Sequence, residues 1–457
     1  MKFENPDDTI CALSTPQGVG AISLIRLSGK DCLSIVNSVF SKSLETAGTH
    51  TAHFGTIKND KQILDEVLVT IFKNPQSFTG EDLVEIGCHG SVYIQAQILK
   101  LLISKGARLA GPGEFSMRAF FNGKMDLSQT EAVADLIASG SEKAHKLAVH
   151  QMRGGFSKEI SELRQELMNF ASLIELELDF SEEDVEFADR TQLENLINLV
   201  DNKINSLLDS FSYGNAIKNG VPVAIVGPPN AGKSTLLNAL LNEDKAIVSD
   251  IAGTTRDVIE DVVVLDGIEF RFIDTAGIRD TTDVIENLGI KRSYDQIKLA
   301  RIVLLMVDLA GSSVLDAIEQ VKSFREDAIS GGQSLVCVFN KIDEVDENIG
   351  ESLKSEGLVI SAKSKLGLTE LREKLLQEVG EEEGEGGVVV TNIRHYEILQ
   401  KCQVSVEKVK LGLEAQITGD LLAMDIRETM NLLGEITGEI SSDDLLGNIF
   451  ANFCIGK

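Results

Sequence analysis

The chain has no CxxC pair and no cluster of histidine with cysteine. Its six cysteines, Cys11, Cys32, Cys88, Cys337, Cys402 and Cys454, lie far apart. That spacing argues against a zinc site and a disulfide framework, and it suits a reducing cytosol. No apolar run reaches the ~18 residues that a membrane helix needs. The opening MKFENPDDTI is polar and acidic, unlike a signal peptide. Positive charge is scarce as well: 43 Lys and Arg stand against 71 Asp and Glu, a net charge of −28. Such a surface repels a phosphate backbone, so any nucleic-acid contact is local or shared with a more basic partner. No internal repeat at solenoid spacing is present.

A length of 457 residues implies roughly three domains and sizeable cores. The first 120 residues read as mixed α/β. TICALSTPQGVGAISLIRLSG is two strand-like runs around a Pro/Gly turn, and VYIQAQILKLLISKGARLAGPGEF is a helix stopped by Gly106 and by Gly111-Pro112-Gly113. Between 125 and 212, apolar residues recur at three- and four-residue spacing with almost no Gly or Pro, which predicts long helices; LSQTEAVADLIASGSEKAHKLAVHQM is one such run. From Val221 short apolar strands alternate with helices (VPVAIVG, IEFRFIDTAG, RIVLLMVD, SLVCVFNKID, GLVISAK), the signature of a mostly parallel sheet. GEEEGEGG is a solvated linker, and helical periodicity returns after it. The expected order is an α+β domain over 1–122, a first helical segment over 123–217, an α/β domain over 218–379, a linker over 380–390 and a second helical segment over 391–457. The α/β domain is thus inserted into a discontinuous helical domain.

Within VPVAIVGPPNAGKSTLLNALL, residues Gly227 to Ser234 fit GxxxxGK[ST] between a strand and a helix. The glycines let backbone N–H groups converge on phosphate oxygens, and the helix start adds its positive dipole end. Asn230, Ala231, Gly232, Lys233, Ser234 and Thr235 line this loop; Lys233 reaches the β- and γ-phosphates, and the Ser234 hydroxyl ligates Mg²⁺. FNKID places Asn340, Lys341 and Asp343 after an apolar strand. The Asp343 carboxylate accepts from N1–H and the 2-amino group of guanine; adenine lacks both donors, which points to GTP. Ser361, Ala362 and Lys363 (ISAK) form a supporting base loop. Asp274, Thr275, Ala276 and Gly277 (DTAG) supply a Mg²⁺-shell carboxylate and a γ-phosphate N–H. GTTRD, before them, is a switch loop with Thr255 as a Mg²⁺ ligand. Four such pieces in this order are highly specific. Ras-like GTPases place Gln directly after DTAG to orient the attacking water; here that residue is Ile278. Glu286 lies downstream in the same segment, and on spacing alone a solvated helix carboxylate is its better reading. Arg256 and Arg279 suit charge stabilisation, although surface ion pairing is commoner.

GPPNAGKSTLLNALL, IVSDIAGTTRD, DTAGIR, VIENLGIKR, GEFSMRAFFNGKMDLSQTEAVADLI and the terminal FCIGK together resemble the MnmE (TrmE) family of tRNA modification GTPases. The likeness spans the whole chain. It implies a folate-binding α+β domain, then a Ras-like P-loop G domain inserted in a discontinuous helical domain. It implies G domains that pair across a homodimer when GTP and K⁺ bind, the K⁺ being held by Asn230, Ser249, Ile251 and Thr254. It assigns water orientation to Glu286 and a 5-formyltetrahydrofolate site to Arg26, Glu85, Lys124 and Lys457. Finally it implies a cytoplasmic complex with the flavoprotein MnmG, which carries FAD, acting on wobble uridine in tRNA. A GTP-regulated scaffold or ribosome-assembly GTPase is the alternative.

In LLGNIFANFCIGK, residues Leu446, Ile449, Phe450 and Phe453 form the apolar stripe of a final helix that Gly456 is expected to end. Cys454 lies beside the stripe. Pattern alone favours a packing role for it; the resemblance brings the terminal segment to the folate site, where a nearby Lys457 favours the reactive thiolate, and so implies that Cys454 is a catalytic thiol of tRNA modification.

Overall fold

The computed structural model describes residues 8–59, 62–179, 190–243, 261–273, 298–311, 313–328, 333–380, 388–441, 443–451 and 453–456. Its described regions form two compact units. One holds Met1–Ala138, Ala148–Asp201 and Lys401–Lys457; the other holds Ser139–Leu147 and Asn202–Gln400.

The first unit contains a six-stranded sheet in the order β3-β4-β5-β2-β1-β6. Its strands are β1 (Ile10–Leu13), β2 (Ile22–Ser28), β3 (Thr51–Asn59), β4 (Gln62–Phe72), β5 (Leu83–His89) and β6 (Arg108–Leu109). All pairs are antiparallel except β1 with β6. The two runs around the Pro/Gly turn are β1 and β2, as expected. Alternation along β2 sends Ile25 and Leu27 into a core shared with α1 (Cys32–Val39) and α2 (Val92–Ser104). Gly106 stops α2, again as expected. Its φ is +108°, and the next N–H, of Ala107, returns 3.1 Å to the Leu102 carbonyl, a Schellman closure.

Helices α3 (Glu114–Phe121), α4 (Leu127–Ala138), α5 (Glu142–Met152), α6 (Gly155–Asp179) and α7 (Arg190–Asn219) follow. The run expected to be one helix across 127–152 is two. Ser139-Gly140-Ser141 interrupts it, and the Ser141 hydroxyl accepts the Ala144 N–H at 3.3 Å to start α5. The chain ends in α12 (Ile393–Glu414), which begins within the second unit, α13 (Gly419–Thr437) and α14 (Asp443–Ala451). Phe156, Ile160, Leu163, Leu167, Phe170 and Ile174 bury one stripe of α6 at alternating four- and three-residue steps. The facing stripe of α13 is Leu422, Ile426, Thr429, Leu433 and Ile436. Arg164 of α6 donates to the Met430 carbonyl and pairs with Glu439, and Arg427 of α13 pairs with Glu175.

The second unit is built on β7 (Val221–Val226), β8 (Asp261–Leu265), β9 (Ile268–Phe272), β10 (Ile302–Asp308), β11 (Ser334–Asn340) and β12 (Leu358–Val359). Their order is β12-β11-β10-β7-β9-β8, parallel except for β8. Six successive residues of β10 are buried, as expected of a central parallel strand covered on both faces. Leu236, Leu237 and Leu240 of α8 (Lys233–Glu243) and Leu371 and Leu375 of α11 (Leu368–Val379) cover one face. Ala317 and Val321 of α9 (Val314–Ala328) and Leu353 of α10 (Glu347–Leu353) cover the other. Ala144, at the start of α5, is buried in the first of these cores, with Tyr213 and Ile217 of α7. No helix among the described residues is long and apolar enough to cross a membrane.

Candidate functional site

The loop between β7 and α8 turns on two glycines that tolerate no side chain. Gly227 has φ +146°, and a Cβ there would lie 2.3 Å from the Met306 carbonyl oxygen of β10. Gly232 has φ +92°, and its Cβ would lie 2.2 Å from Asn340 Nδ2. Only glycine fits either place. Between them Asn230 adopts φ +65° with its side chain exposed, and Ala231 is buried. Helix α8 begins with the Leu236 N–H bonding the Gly232 carbonyl at 2.9 Å, which leaves its first-turn N–H groups at the loop. Lys233 folds back across the loop: its Nζ donates to the Gly227 and Pro228 carbonyls at 2.7 and 2.9 Å. Burial holds this ammonium below the usual lysine range. Ser234 is half-buried, Thr235 is exposed, and neither side chain has a hydrogen-bond partner among the described residues.

Asn340 ends β11 and is 2% exposed. Its amide donates 2.8 Å to the Ala231 carbonyl and accepts 2.9 Å from the Ala362 N–H. One side chain therefore joins the phosphate loop to the ISAK loop. Lys341 takes φ +70° and places Nζ 2.5 Å from Asp308 Oδ2. Asp308 sits opposite Asn340 in register at the end of β10. Sequence reasoning missed it; its position at the end of the apolar run RIVLLMVD, on the strand before the one that leads into FNKID, was the available signal. Asp343 lies in a short 3₁₀ turn (Ile342–Glu344), exposed and with no partner among the described residues. Ser361 is buried and its hydroxyl accepts the Ser364 N–H at 3.0 Å; Ala362 is buried and Lys363 exposed. The structure thus brings Asn230 to Thr235, Asn340 to Asp343 and Ser361 to Lys363 to one end of the parallel strands. Ser249, Ile251, Thr254, Thr255, Asp274, Thr275, Ala276, Gly277 and Glu286 lie outside the described residues, as do Arg256, Arg279 and Lys457.

In the amino-terminal sheet, Arg26 and Glu85 are opposite each other on β2 and β5. The guanidinium donates from Nε and Nη2 to Glu85 Oε1 at 3.0 and 2.8 Å. It also stacks over Phe78 and Phe115, 5.3 and 5.7 Å from their ring centres. Lys124 reaches the Pro75 carbonyl at 3.0 Å and its Cγ packs beside Gly80. The expected pair and lysine are therefore joined through the 75–80 loop that carries Phe78. Sequence reasoning missed Phe78 and Phe115, because nothing local marks an aromatic as the floor under an arginine.

The final helix stops at Ala451, earlier than its apolar stripe predicts, and Gly456 does not cap it. Leu446 and Phe450 are buried against Met117 and Leu127, with Ile449 and Phe453 packed beside them. Cys454 is exposed, whereas the other five cysteines are buried. The packing role that the pattern favoured for Cys454 does not hold. Among the described residues no group of three His, Cys, Asp or Glu is placed to hold a metal ion.

A Gly-bounded loop between the central strand β7 and α8, tied by the asparagine that ends β11 to a second loop beyond β12, defines a P-loop GTPase fold. Residues 9–124 match the family described as GTP-binding protein TrmE N-terminus, and residues 127–454 match the MnmE helical domain. The chain is 55% identical to the tRNA modification GTPase MnmE of Flavobacterium johnsoniae, over 98% of this chain and 99% of that one. It is 53% identical to the protein of the same name from Cytophaga hutchinsonii, over 99% and 98%. The Bacteroides fragilis YCH46 relative is 52% identical over 98% and 99%. The chain belongs to the MnmE family of tRNA modification GTPases.

Proposed function

We propose that this chain is a K⁺-dependent GTP hydrolase. As a cytoplasmic homodimer with the flavoprotein MnmG, which carries FAD, it modifies C5 of the wobble uridine of certain tRNAs. The group installed is aminomethyl or carboxymethylaminomethyl, its one-carbon unit drawn from 5-formyltetrahydrofolate or a related folate. The Asn340 bridge carries the nucleotide side of this reading. It fixes the phosphate loop against the base loop while leaving the Asp343 carboxylate open to a guanine edge. Lys233, which among the described residues bonds two carbonyls, turns to the β- and γ-phosphates, and the α8 N–H groups meet their oxygens. The Ser234 hydroxyl, at the start of α8 and without a partner among the described residues, suits Mg²⁺, with Thr255 and Asp274 completing its surroundings. The exposed amide of Asn230 suits K⁺, with Ser249, Ile251 and Thr254. When bound, these cations offset charge on the phosphate oxygens. Glu286 orients the attacking water. Arg26, Glu85, Lys124 and Lys457 form the folate site: the Glu85 carboxylate faces the amino and N–H edge of the pterin, and basic groups face the glutamate tail. The domains are those expected above, over 1–122, 123–217, 218–379 and 391–457.

Two measurements test this. GTP turnover in K⁺ should exceed that in Na⁺ at equal ionic strength; equal rates remove the K⁺ role. tRNA from a strain lacking the gene should lose the wobble-uridine nucleoside. An intact nucleoside profile, with GTP turnover retained, would favour the scaffold alternative.

A further inference from the structure

Beyond α14, Phe453 packs by its side chain, and the described residues that follow, Cys454 to Gly456, are held to the amino-terminal domain through their own backbone. The Gly113 N–H donates to the Cys454 carbonyl at 3.3 Å, Ile455 pairs with Pro112 as an antiparallel bridge, and the Ser14 hydroxyl donates to the Gly456 carbonyl at 3.1 Å. Each partner permits a very close approach. Gly113 has φ +63°, and a Cβ there would lie 2.7 Å from the Phe450 carbonyl oxygen; Gly456 has φ +93°, and its Cβ would lie 2.4 Å from the Leu13 carbonyl oxygen. The 111–113 turn is itself anchored. Its Gly111 N–H donates 2.8 Å to Glu114, and Glu114 is bound by Arg108 and Arg118, both of which also bind Asp8. A segment gripped by side-chain packing would bury its thiol. A segment gripped by its main chain fixes the Cys454 backbone and leaves the Cys454 side chain facing outward, as observed.

We propose that Ser14 and Gly113 are positioning residues for tRNA modification, acting through the Cys454–Gly456 backbone. The proposal rests on Cys454 being the thiol that the modification uses. The full-length chain is tested as Ser14→Ala, Ser14→Thr, Gly113→Ala and Cys454→Ser, each complementing a strain that lacks the gene. The wobble-uridine nucleoside is quantified, and GTP turnover and amide hydrogen exchange are measured on the purified proteins. Ser14→Ala should lower modification about fivefold, the worth of one hydrogen bond, and Ser14→Thr, which keeps the hydroxyl, should restore it. Gly113→Ala should lower it by about 10²-fold, as misplacement on the ångström scale does. Exchange should quicken at Gly113 and at 453–456 alone, with GTP turnover unchanged. Normal modification in Ser14→Ala and Gly113→Ala, with Cys454→Ser inactive, overturns the positioning role only. Normal modification in Cys454→Ser overturns the thiol role and this proposal with it. Should Gly113→Ala fail to fold, the Ser14→Ala and Ser14→Thr pair decides.

Discussion

Replacing Asn340 with alanine removes one donor and one acceptor from a position 2% exposed. The Ala231 carbonyl and the Ala362 N–H then lose their partner, and Ala231 and Ala362 are themselves buried. Each stranded backbone group costs about 1–3 kcal/mol, so the loss is about 2–6 kcal/mol. For a domain of this size, about 2–4 °C accompanies each kcal/mol, which puts the fall in melting temperature on the order of 10 °C. Asn340→Asp should do as badly. It keeps an acceptor for Ala362 but aims a second oxygen at the Ala231 carbonyl. Asp343→Ala is the control, since that carboxylate is exposed and partnerless among the described residues. It should melt with the parent in the absence of nucleotide, yet lose GTP affinity by about 10²-fold, the value of charged hydrogen bonds to the base. Calorimetry without nucleotide and titration with a fluorescent GTP analogue separate the two. An Asn340→Ala protein that melts within about 2 °C of the parent would refute the bridge as a structural tie.

Glu286→Ala should lower kcat for GTP by about 10²–10³-fold with nucleotide affinity near normal; wild-type turnover returns Glu286 to a solvated surface carboxylate. Burial pushes the Asp8 and Glu114 carboxyls up, but hydrogen bonds and charge from Arg108 and Arg118 outweigh it and hold both below their ordinary values of 3.8 and 4.5. Their contribution to stability is therefore complete above about pH 4.5 and is lost as pH falls through the folded values. Arg118→Met should move the acid unfolding midpoint upward on a circular-dichroism titration, and an unmoved midpoint would count against the network. Gly214→Ala, although it improves helix propensity in α7, would put a Cβ 2.3 Å from the Val390 carbonyl oxygen. It should cost about 2 kcal/mol in denaturant unfolding. Gly140→Ala meets only the movable Glu269 carboxylate and should be close to neutral.

The phosphate loop was legible because its constraint is local: glycines at 227 and 232 declare the left-handed or crowded backbone that the loop needs. The parallel sheet was legible because strands covered on both faces read as unbroken apolar runs. The Asn340 bridge was not, since NKxD spacing says that an amide is wanted but not that it turns away from solvent to hold two loops together. The break at Ser139-Gly140-Ser141 was marked by Gly140, but apolar residues at three- and four-residue spacing on both sides kept one continuous helix plausible across it. The stop at Ala451 was hidden for another reason. Phe453 continues the helical stripe in spacing, yet the chain leaves the helix there to reach Leu13 and Ser14, a destination more than 400 positions away in the sequence. Arg26, Phe78 and Phe115 likewise meet only in three dimensions.

The pairing of α6 with α13 sets a schedule on the ribosome. Helix α6 is complete at residue 179 and α13 begins at residue 419, so 240 further residues are made before the first can meet its partner. At about 5–20 residues per second, that is a wait of about 10–50 s. During it the amino-terminal sheet, already whole, and then the inserted unit can close, while the stripe from Phe156 to Ile174 stands uncovered. The nascent chain thus carries this apolar stripe without its α13 partner while 240 of its 457 residues are made.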